Sequence, residues 1–143
     1  MCEERFKYFE TTADIGIEVY SEKLNDAFIN SALATMNLIT DIDKIKHTTT
    51  RNITLEADDN ESLLYDWITE LLILLDSEFF IASEYQLDIN YKENTYKLNA
   101  TISGDIYDTT IYNYKTEVKA ITYHNMLIEK DDSKYHIRFI VDL

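Results

Sequence analysis

Glu61-Ser-Leu-Leu-Tyr-Asp-Trp-Ile-Thr-Glu-Leu-Leu-Ile-Leu-Leu-Asp-Ser-Glu-Phe79 reads as one helix that is apolar around most of its circumference. Its clearly polar residues, Ser62, Asp66, Thr69, Glu70, Asp76 and Ser77, fall mostly along one narrow stripe. A helix patterned in this way must be covered on more than one side. Acids interrupt it too often for it to cross a membrane. Asp58-Asp59-Asn60 ahead of it offers an N-cap and places negative charge at the positive end of the helix dipole. The flanking sequence is mostly strands, so the covering layers are sheets. The expected fold is therefore α+β, with helices held between β-sheet layers.

Working outward from this helix, periodicity sets the other elements. Ile15, Ile17 and Val19 alternate with Gly16, Glu18 and Tyr20, the signature of a strand with one buried face. Phe6, Tyr8 and Phe9 predict a short extended piece before it. Ser21 offers an N-cap for a helix with Leu24, Phe28 and Ala32 on one face, running to about Leu38. Thr40 to Thr50 reads as a loop, and Ile53, Leu55 and Ala57 mark a strand. Beyond the long helix, Tyr85 to Tyr91 and Tyr96 to Ile102 alternate about a turn at Lys92 to Thr95, which predicts a hairpin. Gly104 is expected to open an irregular loop to about Lys115. Glu117 to Tyr123 alternates again. Met126 to Lys130 and Tyr135 to Asp142 predict a last hairpin about Asp131-Asp132-Ser133. In its final strand Tyr135, Ile137, Phe139 and Val141 share one face, leaving His136, Arg138, Ile140 and Asp142 on the other.

At 143 residues the chain is the length of one domain, residues 1–143. Its formal charge of -14 repels phosphate backbones and argues against direct nucleic-acid binding, which leaves a cationic surface or a metal ion as the natural partner. The lone Cys2 forms no internal disulfide. With no apolar span or export segment, the expected location is cytoplasmic. The chain has two glycines and no proline, so Asn and Asp must make its turns. It lacks a Gly-rich phosphate loop, a nucleophile elbow and zinc-type Cys/His spacing.

What remains is carboxylate chemistry. Asp14, at the mouth of a strand, is by itself a cap or a ligand. Asp142 is followed only by Leu143, whose α-carboxylate adds a second anionic donor within one residue. Clustered oxygen donors suit a hard cation, Ca²⁺ or Mg²⁺, better than zinc. Lys119 is either a strand-surface lysine in an ion pair or a cation that reaches an acidic metal site or a partner's anionic group. His124, before Asn125, reads as a turn residue.

Four stretches then resemble the archease family in order and spacing: Phe9-Glu-Thr-Thr-Ala-Asp-Ile-Gly16, Leu64-Tyr-Asp-Trp-Ile-Thr-Glu-Leu-Leu72, Glu117-Val-Lys-Ala-Ile-Thr-Tyr-His124 and Val141-Asp-Leu143. The resemblance implies a small α+β protein with two helices between sheets and some likeness to the Hsp33 chaperone fold. It implies an accessory protein, not itself an enzyme, that activates an RtcB-type tRNA-splicing ligase by promoting its GTP-dependent guanylylation and multiple turnover. It also implies a divalent-metal site at Asp14, Asp142 and Leu143, for calcium, magnesium or manganese, and a role in activation for Lys119. Two positions depart from the family pattern, Thr11 and Tyr112, each standing where a histidine is usual. A second reading is a general chaperone or adaptor for a tRNA-modifying enzyme such as a tRNA methyltransferase, with a structural metal. A metal-dependent hydrolase needs an open coordination position and a base, for which the sequence offers few histidines and no motif.

Overall fold

The computed structural model describes residues 5–11 and 14–143. Cys2 and the Thr12-Ala13 pair lie outside them. The elements in chain order are β1 (Lys7–Glu10), β2 (Asp14–Ser21), α1 (Leu24–Ile39), a single 3-10 turn (Ile42–Lys44), β3 (Thr49–Ala57), α2 (Asn60–Glu78), β4 (Phe80–Lys92), β5 (Thr95–Ile106), β6 (Ala120–Asp131) and β7 (Lys134–Asp142). They form two antiparallel sheets, one of four strands ordered β1-β2-β7-β6 and one of three ordered β3-β5-β4.

Both helices lie between the sheets. Helix α1 packs on β2 and β7 of the larger sheet and on β4 of the smaller, and α2 packs on β6 and on β3, β4 and β5. In α2, Leu63, Leu64, Trp67, Ile68, Leu71, Leu72 and Leu74 are buried, while Asp66, Ile73 and Ser77 are exposed. The expected double cover and narrow solvent stripe are both present, with Ile73 falling in the stripe. Trp67 is fully buried and its indole N–H donates to the Phe28 carbonyl at 3.0 Å, tying α2 to α1. Each sheet turns its apolar residues inward: Ile17 and Val19 from β2, Ile137, Phe139 and Val141 from β7, and Leu98, Ala100 and Ile102 from β5 are buried in one continuous core.

Asp59 caps α2 as expected, its carboxylate accepting the Ser62 N–H at 2.7 Å, and Phe79 closes it in the left-handed region at φ 54°. The β4–β5 hairpin turns at Glu93 and Asn94, both with positive φ (54° and 61°), the geometry of a tight two-residue turn. Several boundaries differ from the sequence expectations, among them β4, which starts at Phe80 instead of Tyr85, and β6, which runs from Ala120 to Asp131 as one strand where the alternation implied two pieces. Ser21 ends β2 instead of capping α1; its hydroxyl accepts from Asn30 Nδ2 at 3.2 Å, and Lys23 is the cap position with no side-chain bond. Residues 40–50 are not wholly loop, because they contain the 3-10 turn and the start of β3. Gly104 lies inside β5 instead of opening a loop, since a Cβ there would strike the Ile81 carbonyl oxygen of the neighbouring strand. Strand β6 starts at Ala120, three residues later than the alternation from Glu117 implied.

Candidate functional site

Strands β2 and β7 run antiparallel, and their last rung pairs Asp14 with Asp142. Two residues far apart in the sequence thus meet because the sheet places them side by side. Successive strand residues alternate faces, and Val141 points to the core, so Asp142 and Asp14 share the solvent side. Directly opposed like charges destabilise an antiparallel pair unless a proton or cation is held between them. The Asp14 carboxyl responds accordingly. Its pKa is raised above the ordinary carboxylate value, first by a hydrogen bond with Asp142, then by desolvation and by the Asp142 charge, with His124 pulling in the opposite direction.

Lys119 joins them through its main chain: its N–H donates to the Asp142 carbonyl at 2.8 Å, and its side chain is exposed. Ala120 pairs with Asp142 in the next strand, so the end of the sheet brings Asp14, Asp142 and Lys119 together. Leu143 follows directly, half-buried against the core. Among the described residues, no third His, Cys, Asp or Glu side chain completes a metal cluster with the aspartates.

Thr11 holds the backbone of Asp14. Its hydroxyl accepts the Asp14 N–H at 3.2 Å and its own N–H donates to the Asp14 carbonyl at 3.4 Å. Tyr112 is buried and committed to another network: its hydroxyl donates to Asp105 Oδ2 at 2.6 Å and accepts the Lys46 N–H at 3.1 Å.

His124 is the neighbour that the sequence left as a turn residue. Between Thr122 and Leu127 the β6 ladder loses register with β7, and Asn125 takes a positive φ of 55°. His124 lies within this break, and it acts on the Asp14 carboxyl against the rise that Asp142 causes. The only sequence signal was an Asn, a residue tolerant of the left-handed region, where the alternation lapses.

The same outward face, which the sequence assigned to His136, Arg138 and Asp142, carries contacts that no sequence pattern announced. His136 Nε2 lies 3.0 Å from Glu18 Oε2, and Tyr20 stacks on the His136 ring at 4.3 Å. The Phe9 ring fills the space that Gly16 leaves open, with the Arg138 guanidinium 4.4 Å above it. These contacts join β1, β2 and β7 across the face that begins at the aspartates.

Two antiparallel sheets enclosing two helices, with opposed aspartates at one sheet end, define a small α+β protein that carries a pair of facing carboxylates. Residues 6–143 match the model of the archease protein family (MTH1598/TM1083). The chain is 39% identical over 140 residues to the protein archease of Sulfurisphaera tokodaii, covering 98% of this chain and 99% of that one. It is 37% identical over 141 residues to that of Pyrococcus abyssi, covering 98% and 99%. The solution structure of Methanobacterium thermoautotrophicum protein 1598 superimposes with a TM-score of 0.86 at 34% identity, covering 97% of this chain and 99% of that one. An archease from Thermotoga maritima, described as a possible chaperone, shares the fold at a TM-score of 0.55 and 20% identity, with both chains fully covered. The chain belongs to the archease family.

Proposed function

We propose that this protein activates an RtcB-type RNA ligase by bringing a divalent cation, held at Asp14 and Asp142, to a docked ligase. The rung that pairs these two carboxylates carries the proposal. A carboxyl kept above its ordinary pKa by another beside it can release its proton to solvent and hold a divalent ion in its place, which neutralises both charges. The donor set fits a hard cation, Ca²⁺, Mg²⁺ or Mn²⁺, and the α-carboxylate of Leu143 is the third oxygen donor in this reading. Calcium takes six to eight oxygens, so water or ligase groups complete the shell. Lys119, whose main chain bonds the Asp142 carbonyl and whose side chain is exposed, supplies in this reading the cation that meets an anionic group of the ligase or its nucleotide.

The test is multiple-turnover joining of RNA ends carrying a 2',3'-cyclic phosphate and a 5'-hydroxyl by a cognate ligase. Ligation and ligase guanylylation are expected to rise with this protein and to fall back with Asp14→Ala or Asp142→Ala. Full stimulation by Asp14→Ala would sink the proposal. A second reading draws on the Thermotoga maritima relative's description as a possible chaperone: an adaptor for a tRNA-modifying enzyme such as a methyltransferase, with a structural metal. It predicts altered client solubility or specificity with no change in guanylylation.

A further inference from the structure

On the smaller sheet, His47 bridges two neighbouring residues of β4. Its Nε2 lies 2.8 Å from Ser83 Oγ and its Nδ1 lies 3.0 Å from Glu84 Oε2. Consecutive residues of a regular strand point to opposite faces, so one imidazole does not ordinarily reach both. Here β4 is bulged: Ala82 pairs with Gly104 and Glu84 with Ser103, leaving Ser83 out of the register. The extra residue re-aims the side chains and lets one ring meet both.

The surroundings hold this arrangement in place. Gly104 gives the bulge room, because any side chain there would collide with the backbone of Ile81 and Ala82. His47 is fixed through both of its chain neighbours. The Lys46 N–H donates to the Tyr112 hydroxyl at 3.1 Å, and the Thr48 N–H donates to the Gly104 carbonyl at 2.9 Å. Asp105 ties these anchors together, accepting from Thr48 Oγ1 at 2.7 Å and from the Tyr112 hydroxyl at 2.6 Å.

We propose that Ser83, His47 and Glu84 form a serine-nucleophile centre that hydrolyses small activated acyl esters, on a different sheet from the Asp14 and Asp142 pair. A carboxylate only accepts hydrogen bonds, so Glu84 fixes the imidazole proton on Nδ1 and leaves the Nε2 lone pair for the Ser83 O–H. This is the order of roles in a serine, histidine and acid triad. Ser83 Oγ bonds to the acyl carbon as its proton passes to His47 Nε2. The ester C–O bond breaks, and the departing alcohol takes that proton. Water, deprotonated by the same nitrogen, then attacks acyl-Ser83, and the carboxylic acid leaves as Ser83 Oγ recovers a proton. The side chains of His47 and Glu84 are 42% and 58% exposed, so the centre is open to solvent and suited to activated esters, not to amides.

The full chain is tested by hydrolysis of p-nitrophenyl acetate and by fluorophosphonate labelling with peptide mapping. The label is expected on Ser83. Ser83→Ala and His47→Gln are each expected to lose at least about a hundredfold in rate, the low end of what a positioned base contributes. Glu84→Gln is also expected to slow the reaction, because its amide NH2 can donate to Nδ1 and leave the imidazole proton on Nε2, facing Ser83. Label elsewhere, hydrolysis unchanged in Ser83→Ala, or labelling in His47→Gln at the wild-type rate would each overturn the proposal and leave His47 as a staple for the bulge. Ser83→Ala removes a single oxygen and keeps the fold, so its readout stands even where His47→Gln loosens the loop.

Discussion

Gly16 and Gly104 are both required for close approach, and they differ in what presses on them. At Gly104 the obstacle is the main chain of β4, which cannot swing aside. At Gly16 it is the ring of Phe9. Gly104→Ala is therefore expected to cost about 1–3 kcal/mol in urea denaturation, the range for forcing extra atoms into a packed site. Gly16→Ala should cost less, because the ring can rotate away at the expense of its contact with Arg138. Equal losses would contradict this distinction. Asp14 calls for a different measurement. Its raised pKa means that the folded protein holds a proton which the unfolded chain has already released. Metal-free protein should thus lose stability as pH rises from the ordinary aspartate range through the raised value, and Asp14→Asn should flatten that slope. Divalent metal should relieve the same strain in wild type and leave Asp14→Asn unmoved. Melting curves in chelator and in calcium, across pH, check both.

The elements were read from the sequence most securely where periodicity and burial agree. Helix α2 was legible because a helix apolar on nearly every side has few ways to be covered, and its cap was legible because Asp59 stands just ahead of the apolar run. Asp59→Ala is expected to cost about 1 kcal/mol, the usual loss for an N-cap carboxylate, measured by chemical denaturation. An unchanged midpoint would mean that packing alone sets the start of α2. The start of α1 was misplaced because Ser21 has two uses, and the sheet took it: its side chain bonds Asn30 from the end of β2. Asn25 reaches across instead, its Oδ1 accepting the Ile89 N–H of β4 at 3.0 Å. No local pattern announces a bond across 64 residues. The same limit hid the relay of His47 with Ser83 and Glu84 and the register break that carries His124. Both depend on bulges, which appear only when two strands are laid together. The meeting of Asp14 and Asp142 was expected from the family resemblance, and the geometry behind it is the rung at the end of β2 and β7.

At the scale of the whole molecule, the two sheets cover the helices and present their outer faces and ends to any partner. The formal charge of -14 then decides how a partner is found. A protein this acidic is attracted over distance to a basic surface, such as the RNA-binding face of a ligase, and that attraction acts mainly on the rate of encounter. Salt weakens it, because the screening length shrinks from about 10 Å at 0.1 M to about 3 Å at 1 M. On the proposed function, stimulation of a ligase at limiting protein should therefore fall as salt rises, through slower association, while dissociation of the formed complex changes little. Lys119→Glu separates the general field from the local contact. It adds negative charge to an already acidic molecule, so steering alone predicts equal or faster association. A lysine that meets an anionic group beside Asp142 predicts faster dissociation instead. Stopped-flow association and dissociation rates at two salt concentrations distinguish the two. An association rate indifferent to salt would place recognition in apolar contacts, with the acidic surface serving solubility alone.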